Sequence, residues 1–283
     1  LEHPFSTYLI LPNVAVRDAV KCAIAERGTP VFGASVCTLN ELAEFLFDCL
    51  NHSDIRLDQY AIELVLYKLL ESNRKALPLF DGPWGTTQAM VPDIRAFLET
   101  MSDYQADYPE ILGGMRSERS EQLGRIRDLY VEFLSSNSMV DRGSMLRWVT
   151  EEIKKSGEVR VHHAIFYGLY EPKPIEKEFI RSVLSIAERA DYHIPFVQGS
   201  KAFSDDGSWL DANDIVEAEG DGANIAAALY SQGRKERSER IVKGTFKDPL
   251  DEMRAVAREI RKLIDSGVEP GKIAVALPCL LYT

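Results

Sequence analysis

The sequence predicts an α/β protein. A parallel sheet is interrupted by a large helical insertion, and the start of a second unit of the same kind follows. Three observations carry this expectation. Strand-like and helix-like segments alternate at both ends of the chain, the pattern of a parallel sheet. Residues 54–156 have helical periodicity and no convincing strand. The segment from residue 240 onward reads strand, capped helix, strand, a unit that opens and is not finished.

The elements follow in order. Thr7–Leu11 is a short strand stopped by Pro12. Asn13 can cap a helix running to Arg27, with Val16, Ala19, Val20, Ala23 and Ile24 inward, and Gly28 ends it. Residues 34–38 form a second strand. Leu39–Leu50 is a second helix, with Leu42, Phe45, Leu46 and Cys49 on one face.

The insertion reads as helices at 57–72, 87–102, 117–135 and 142–155. Their inward residues are Ile62, Leu66, Leu69 and Leu70 in the first, and Leu123, Ile126, Leu129, Tyr130 and Phe133 in the third. In the fourth they are Met145, Leu146, Val149 and Ile153. Pro92 is expected to kink or restart the second helix, because it lacks an N–H and crowds the preceding turn.

The α/β pattern returns with a strand at 159–166. Pro172 and Pro174 introduce a helix through Arg189, with Ile175, Phe179, Val183, Leu184 and Ala187 inward. Residues 192–196 make another strand, 204–222 a polar loop with a short helix, 223–230 a short apolar helix and 232–240 a charged linker. A strand at 240–246 leads to the last helix. Asp248 caps that helix, Pro249 fits its first position, and Asp251 suits the positive end of the dipole. Leu250, Met253, Val256, Ile260, Leu263 and Ile264 make its apolar face. Gly267 ends it, and residues 273–277 are an apolar run fitting a strand buried on both faces. These patterns divide the chain into a first sheet segment at 1–53, a helical insertion at 54–157, a second sheet segment at 158–239 and the start of another sheet domain at 240–283.

Composition limits the function classes. The net charge is −11, so no global basic field favours polyanions. Binding nucleic acid would need a local patch or a partner that supplies charge. Cys22, Cys37, Cys49 and Cys279 lack metal-like or redox spacing, which points to free thiols and a cytoplasmic location. No stretch has the ~20 apolar residues that a spanning helix needs, and residues 1–4 have no signal-peptide character.

No constellation in the sequence makes a catalytic centre. A phosphate loop needs glycine amides followed by Lys and Ser or Thr. Gly271 and Lys272 are followed by Ile273 and precede a strand, so they read as a turn. In a fragment, such a loop would lie upstream of Leu1. His162 and His163 are adjacent on a strand and point to opposite faces, with no third metal ligand at useful spacing. Asp205, Asp206, Asp211 and Asp214 lack calcium-loop spacing and read as a solvated loop. Asp251 and Glu252 are explained by the start of a helix. Ser35 and Ser144 sit in no nucleophile motif.

The order of segments resembles the B subunit of AddAB-type ATP-dependent helicase/nucleases, also called RexB. The resemblance spans nearly the whole chain through several weak motifs: Tyr8–Asn13, Val36–Ala43, Val161–Pro174, Ala190–Pro195 and, most specifically, Phe246–Pro278. It implies a RecA-like parallel sheet (a P-loop NTPase-like fold) and a role in DNA double-strand break repair and recombination. The partners it implies are DNA, as a single strand or a duplex end, and an AddA/RexA-like motor subunit. It also implies that the loops after the first two strands face single-stranded DNA, which puts Asn13, Arg17, Thr38 and Asn40 on a DNA path. The competing reading is that Asn13 and Asn40 cap helices while Thr38 ends a strand. Tyr60, Trp84, Tyr104 and Trp148 are candidates either for stacking on bases or for core and subunit contacts.

One departure from the family matters. In active helicases of the related UvrD-like superfamily, the strand matching Ile165 ends in an acidic pair that holds Mg²⁺. Here Phe166, Tyr167 and Gly168 stand in that place, with Glu171 a few residues beyond. The expectation is a helicase-like portion with no cofactor of its own, ATP and Mg²⁺ belonging to the parent protein or its partner. Two alternatives stand beside it: an active NTPase whose phosphate loop lies upstream of Leu1, and a protein-interaction module without a DNA role.

Overall fold

The computed structural model describes residues 6–28, 36–50, 52–80, 89–105, 118–156, 159–194, 207–210 and 244–275. The expected helix at 223–230, the charged linker, the acidic loop, Trp84 and Cys279 lie outside the described residues. So do most of the strand at 240–246 and the end of the apolar run at 273–277. The chain divides into two compact units, Leu1–Ala218 and Glu219–Thr283. It is α/β, mostly helical, with a parallel sheet of four strands.

The first unit begins with β1 (Thr7–Leu11) and α1 (Val14–Glu26). The Asn13 side chain accepts from the Val16 amide at 2.9 Å, so the helix starts where its sequence says. β2 (Val36–Thr38) runs directly into α2 (Leu39–Cys49). The buried face of α2 is Leu39, Leu42, Ala43, Leu46 and Phe47, rotated from the expected one. Phe45 and Cys49 are exposed. The cause is the Phe47 ring, which packs edge-on against Trp148 with centroids 5.3 Å apart.

Two strands of two residues each, β3 (Ile55–Arg56) and β4 (Met139–Val140), pair in parallel inside the region expected to hold only helices. They are too short to leave a period-2 signal in sequence. Between them lie α3 (Gln59–Ser72), α4 (Met90–Asp103) and α5 (Glu118–Ser136). Pro92 does not kink α4. It is the third helical residue, where an N–H would have no acceptor within the helix. α6 (Arg142–Ser156) buries Met145, Leu146, Val149 and Ile153 as its spacing predicts.

β5 (Val161–Tyr167), α7 (Pro174–Ile186) and β6 (Ala187–His193) complete the sheet, in the order β2-β1-β5-β6. Ile10 lies between Cys37 and Phe166 in register. α7 is shorter than expected, and β6 starts earlier. Ala187 is the first strand residue, paired with Val161, not the last turn of the helix. Pairing with β5 overrides the local helical pattern there.

The buried apolar side chains of the first unit fall into two clusters. One lies around the sheet, with α2, α6 and α7 contributing Leu42, Leu46, Leu146 and Phe179. The other joins α3, α4 and α5 through Leu66, Leu70, Ile94, Leu98 and Ile126. In the second unit, α8 (Pro249–Asp265) is capped by the Asp248 side chain at 2.8 Å from the Asp251 amide. A turn of 3-10 helix at Pro270–Lys272 takes up Gly271 and Lys272.

Candidate functional site at the carboxyl edge of the sheet

The chain crosses from β1 to β2 in one direction and from β5 to β6 in the other. Between the carboxyl ends of β1 and β5 the strand order therefore reverses. In open parallel sheets, ligands bind in the crevice at such a point. A crevice of about 170 Å³ lies there, floored by Pro12, Leu39, Leu169 and Pro172 and edged by Thr38, Asn40, Tyr170 and Glu176. Pockets that enclose small-molecule ligands run to ~300–1,000 Å³. This one is large enough for a single flat ring, not for a nucleoside triphosphate.

Asn13, Arg17, Thr38 and Asn40 all lie at this edge, on the first turns of α1 and α2 or their caps. Each also has a structural task. Asn13 caps α1. Thr38, not Asn40, caps α2: its hydroxyl accepts from the Glu41 amide at 3.3 Å, while Glu41 accepts from the Thr38 amide at 2.8 Å. Arg17 pairs with Glu41 and with Asp18. Asn40 is the second helical residue, and its side-chain oxygen accepts from Arg142 Nε at 2.8 Å. The short link from β1 to α1, Pro12 and Asn13, contains no glycine, so it is not a phosphate cradle.

The loop after β5 carries the backbone strain of this edge. Gly168 has φ +71°, and Glu171, a non-glycine residue ahead of Pro172, has φ +47°. Strained positions of this kind cluster at functional sites. Tyr167, which ends β5, and Tyr170 in the loop are exposed. No carboxylate occupies positions 166–168 at the end of β5.

An ion-pair network borders the crevice and is not apparent in the sequence pattern. Arg142, the first residue of α6, donates to Asp103 at 2.6 Å and to Glu176. Lys173, the residue that precedes α7, donates to the same Asp103 carboxylate. These partners lie 39 and 70 residues apart in sequence, beyond the reach of any local motif. Arg17, Arg142 and Lys173 are thus all paired with carboxylates, and the edge is not an open basic patch.

The histidines behave as their alternation predicts. His162 pairs with Glu188 at 2.8 Å on one face, and His163 with Asp191 at 2.7 Å on the other. The hydrogen bond from His163 holds the Asp191 carboxyl below its usual range, helped by Arg189. Among the described residues, no group of three His, Cys, Asp or Glu could hold a metal ion. Burial pushes the Cys37 thiol up to about 12, which makes it an inert core residue. Of the aromatic candidates, Tyr60 and Tyr104 are exposed, while Trp148 packs edge-on against both Phe47 and His52. No helix among the described residues is long and apolar enough to cross a membrane.

Comparison of the sequence with protein-family models and with curated proteins finds no match.

Proposed function

We propose that the chain is a RecA-like, non-catalytic portion of a helicase/nuclease subunit that guides a DNA strand along the carboxyl edge of its sheet and scaffolds a motor partner. What supports this most is the crevice itself. It sits at the reversal of strand order, it is bordered by Thr38, Asn40 and Tyr170, and it is sized for one ring. A nucleobase stacked on Tyr170 fits such a space, with Asn40 and Thr38 available at its edge. The absence of a carboxylate pair after β5 favours guiding over hydrolysis. Partner and parent protein supply ATP and Mg²⁺ chemistry under this proposal.

The scaffolding half draws on an exposed stripe on α3, where Tyr60, Leu64 and Tyr67 recur at helical spacing. That stripe also favours the second reading, a protein-interaction module without a DNA role.

The deciding experiment is binding of a fluorescent oligothymidylate to the chain at low and moderate salt, alongside an ATP-turnover assay. Binding weakened by Tyr170→Ala, without ATP turnover, is the expected result. Turnover by the chain would sink the non-catalytic assignment. No binding, even with a motor subunit present, would leave the interaction module.

A further inference from the structure

Two apolar clusters within one compact unit need a joint. One part of that joint is the β3–β4 pair. Val140 packs into the sheet cluster, while its neighbour Met139 packs against the helical one. The other part is the carboxyl end of α4, and there charge takes the place of apolar contact. The Asp103 side chain is only 5% exposed and is held by Arg142 from α6 and Lys173 from the start of α7. Gln105, at φ +51°, donates to Glu178 of α7 at 2.6 Å. The Ser102 hydroxyl is buried without a hydrogen-bond partner, and a Cβ on the facing Gly143 would collide with it.

A carboxylate at the last residue of a helix opposes the helix dipole. Burying Asp103 therefore depends on its two cations. Unlike an apolar contact, an ionic joint can be undone by a competing ion of the same sign. Both cations remain reachable, since the side chains of Arg142 and Lys173 are 33% and 45% exposed. Arg142 borders the proposed strand path directly, and Lys173 directly follows Pro172, which lines the first crevice. Arg142 and Asn40 line a second, smaller crevice, and Asn40 and Glu176 the first.

We propose that α3, α4 and α5 form an arm hinged at β3–β4 and closed by a latch, Asp103 on Arg142 and Lys173. A phosphodiester strand on the carboxyl edge opens the latch by drawing these two cations onto its phosphates. The opening ligand rests on the strand-guiding function proposed above; the latch itself does not. A phosphate offers Arg142 the same paired oxygens that Asp103 and Glu176 now supply. As the end of α4 leaves, Asp103 reaches water instead of being stranded.

Hydrogen–deuterium exchange of the full chain tests this, free and with a short oligothymidylate. Exchange at residues 98–105 is expected to rise about tenfold with the oligonucleotide, while β1 and β5 stay protected. Lys173→Gln and Asp103→Asn are expected to raise the same residues about as much without ligand. Oligonucleotide binding with no change at 98–105 would overturn the opening step. If the oligonucleotide does not bind at all, the strand-guiding function falls, and the opening ligand falls with it. The latch is still decided by Lys173→Gln, the milder variant, in which unchanged exchange would overturn it.

Discussion

The two apolar clusters of the first unit are built to different standards. Around the sheet, Ile10, Leu42, Phe166 and Phe179 have no exposed surface, and α2, α6 and α7 commit their apolar faces to it, whereas α1 buries none of its residues. In the helical cluster, Leu66 and Leu70 are as fully buried, but the other side of α3 leaves Tyr60, Leu64 and Tyr67 in solvent. The sheet cluster thus has its neighbours already, whereas the helical cluster keeps one face available. The difference separates what the chain needs in order to fold from what it has left for a partner.

The contrast can be broken or sharpened by substitution. The largest effect is expected from Phe179→Ala, which empties the centre of the sheet cluster and should cost ~3–5 kcal/mol in urea unfolding. Leu66→Ala should cost ~2–5 kcal/mol, with protection lost first in α3–α5 and retained in β1 and β5. Equal loss in both regions would mean that the two clusters unfold as one. Thr38→Ala removes the cap of α2 and should cost ~1 kcal/mol.

A smaller effect concerns pH. The Asp191 carboxyl titrates lower in the folded chain than when unfolded, because His163 hydrogen-bonds to it. The stabilisation is therefore present above the unfolded value of ~3.9 and is lost as pH falls through the folded value. Its side chain is 39% exposed, so solvent screens the pair to about 0.2–1 kcal/mol. Asp191→Asn should remove that acid-dependent loss in pH-dependent unfolding. Tyr60→Ser with Tyr67→Ser should change stability least, within ~0.5 kcal/mol, while weakening any partner that docks on α3.

Much of the fold is legible in the sequence because its signals are local. Asn13 and Asp248 cap the helices they precede. The periodicity of Met145, Leu146, Val149 and Ile153 places α6 without reference to anything else. What the sequence hides depends on distant partners. Ala187 continues a helical pattern, yet it becomes a strand residue once β5 offers a ladder. Asp103 looks like an ordinary surface acid at a helix end until Arg142 and Lys173 are brought to it. The candidate site divides in the same way. Asn13, Arg17, Thr38 and Asn40 are locally marked, but the crevice between β1 and β5 is produced only by the order of strands.

Ile186 is the last residue of α7 and Ala187 the first of β6, with no connecting residue between them. The chain has no slack there. A slide of α7 far enough to slip β6 by one residue, ~3.3 Å, would turn the side chains of β6 to the opposite face, breaking His162–Glu188 and His163–Asp191 together. Helix and strand therefore act as one crank. A pull on the Lys173 end of α7 would be felt at the far edge of the sheet.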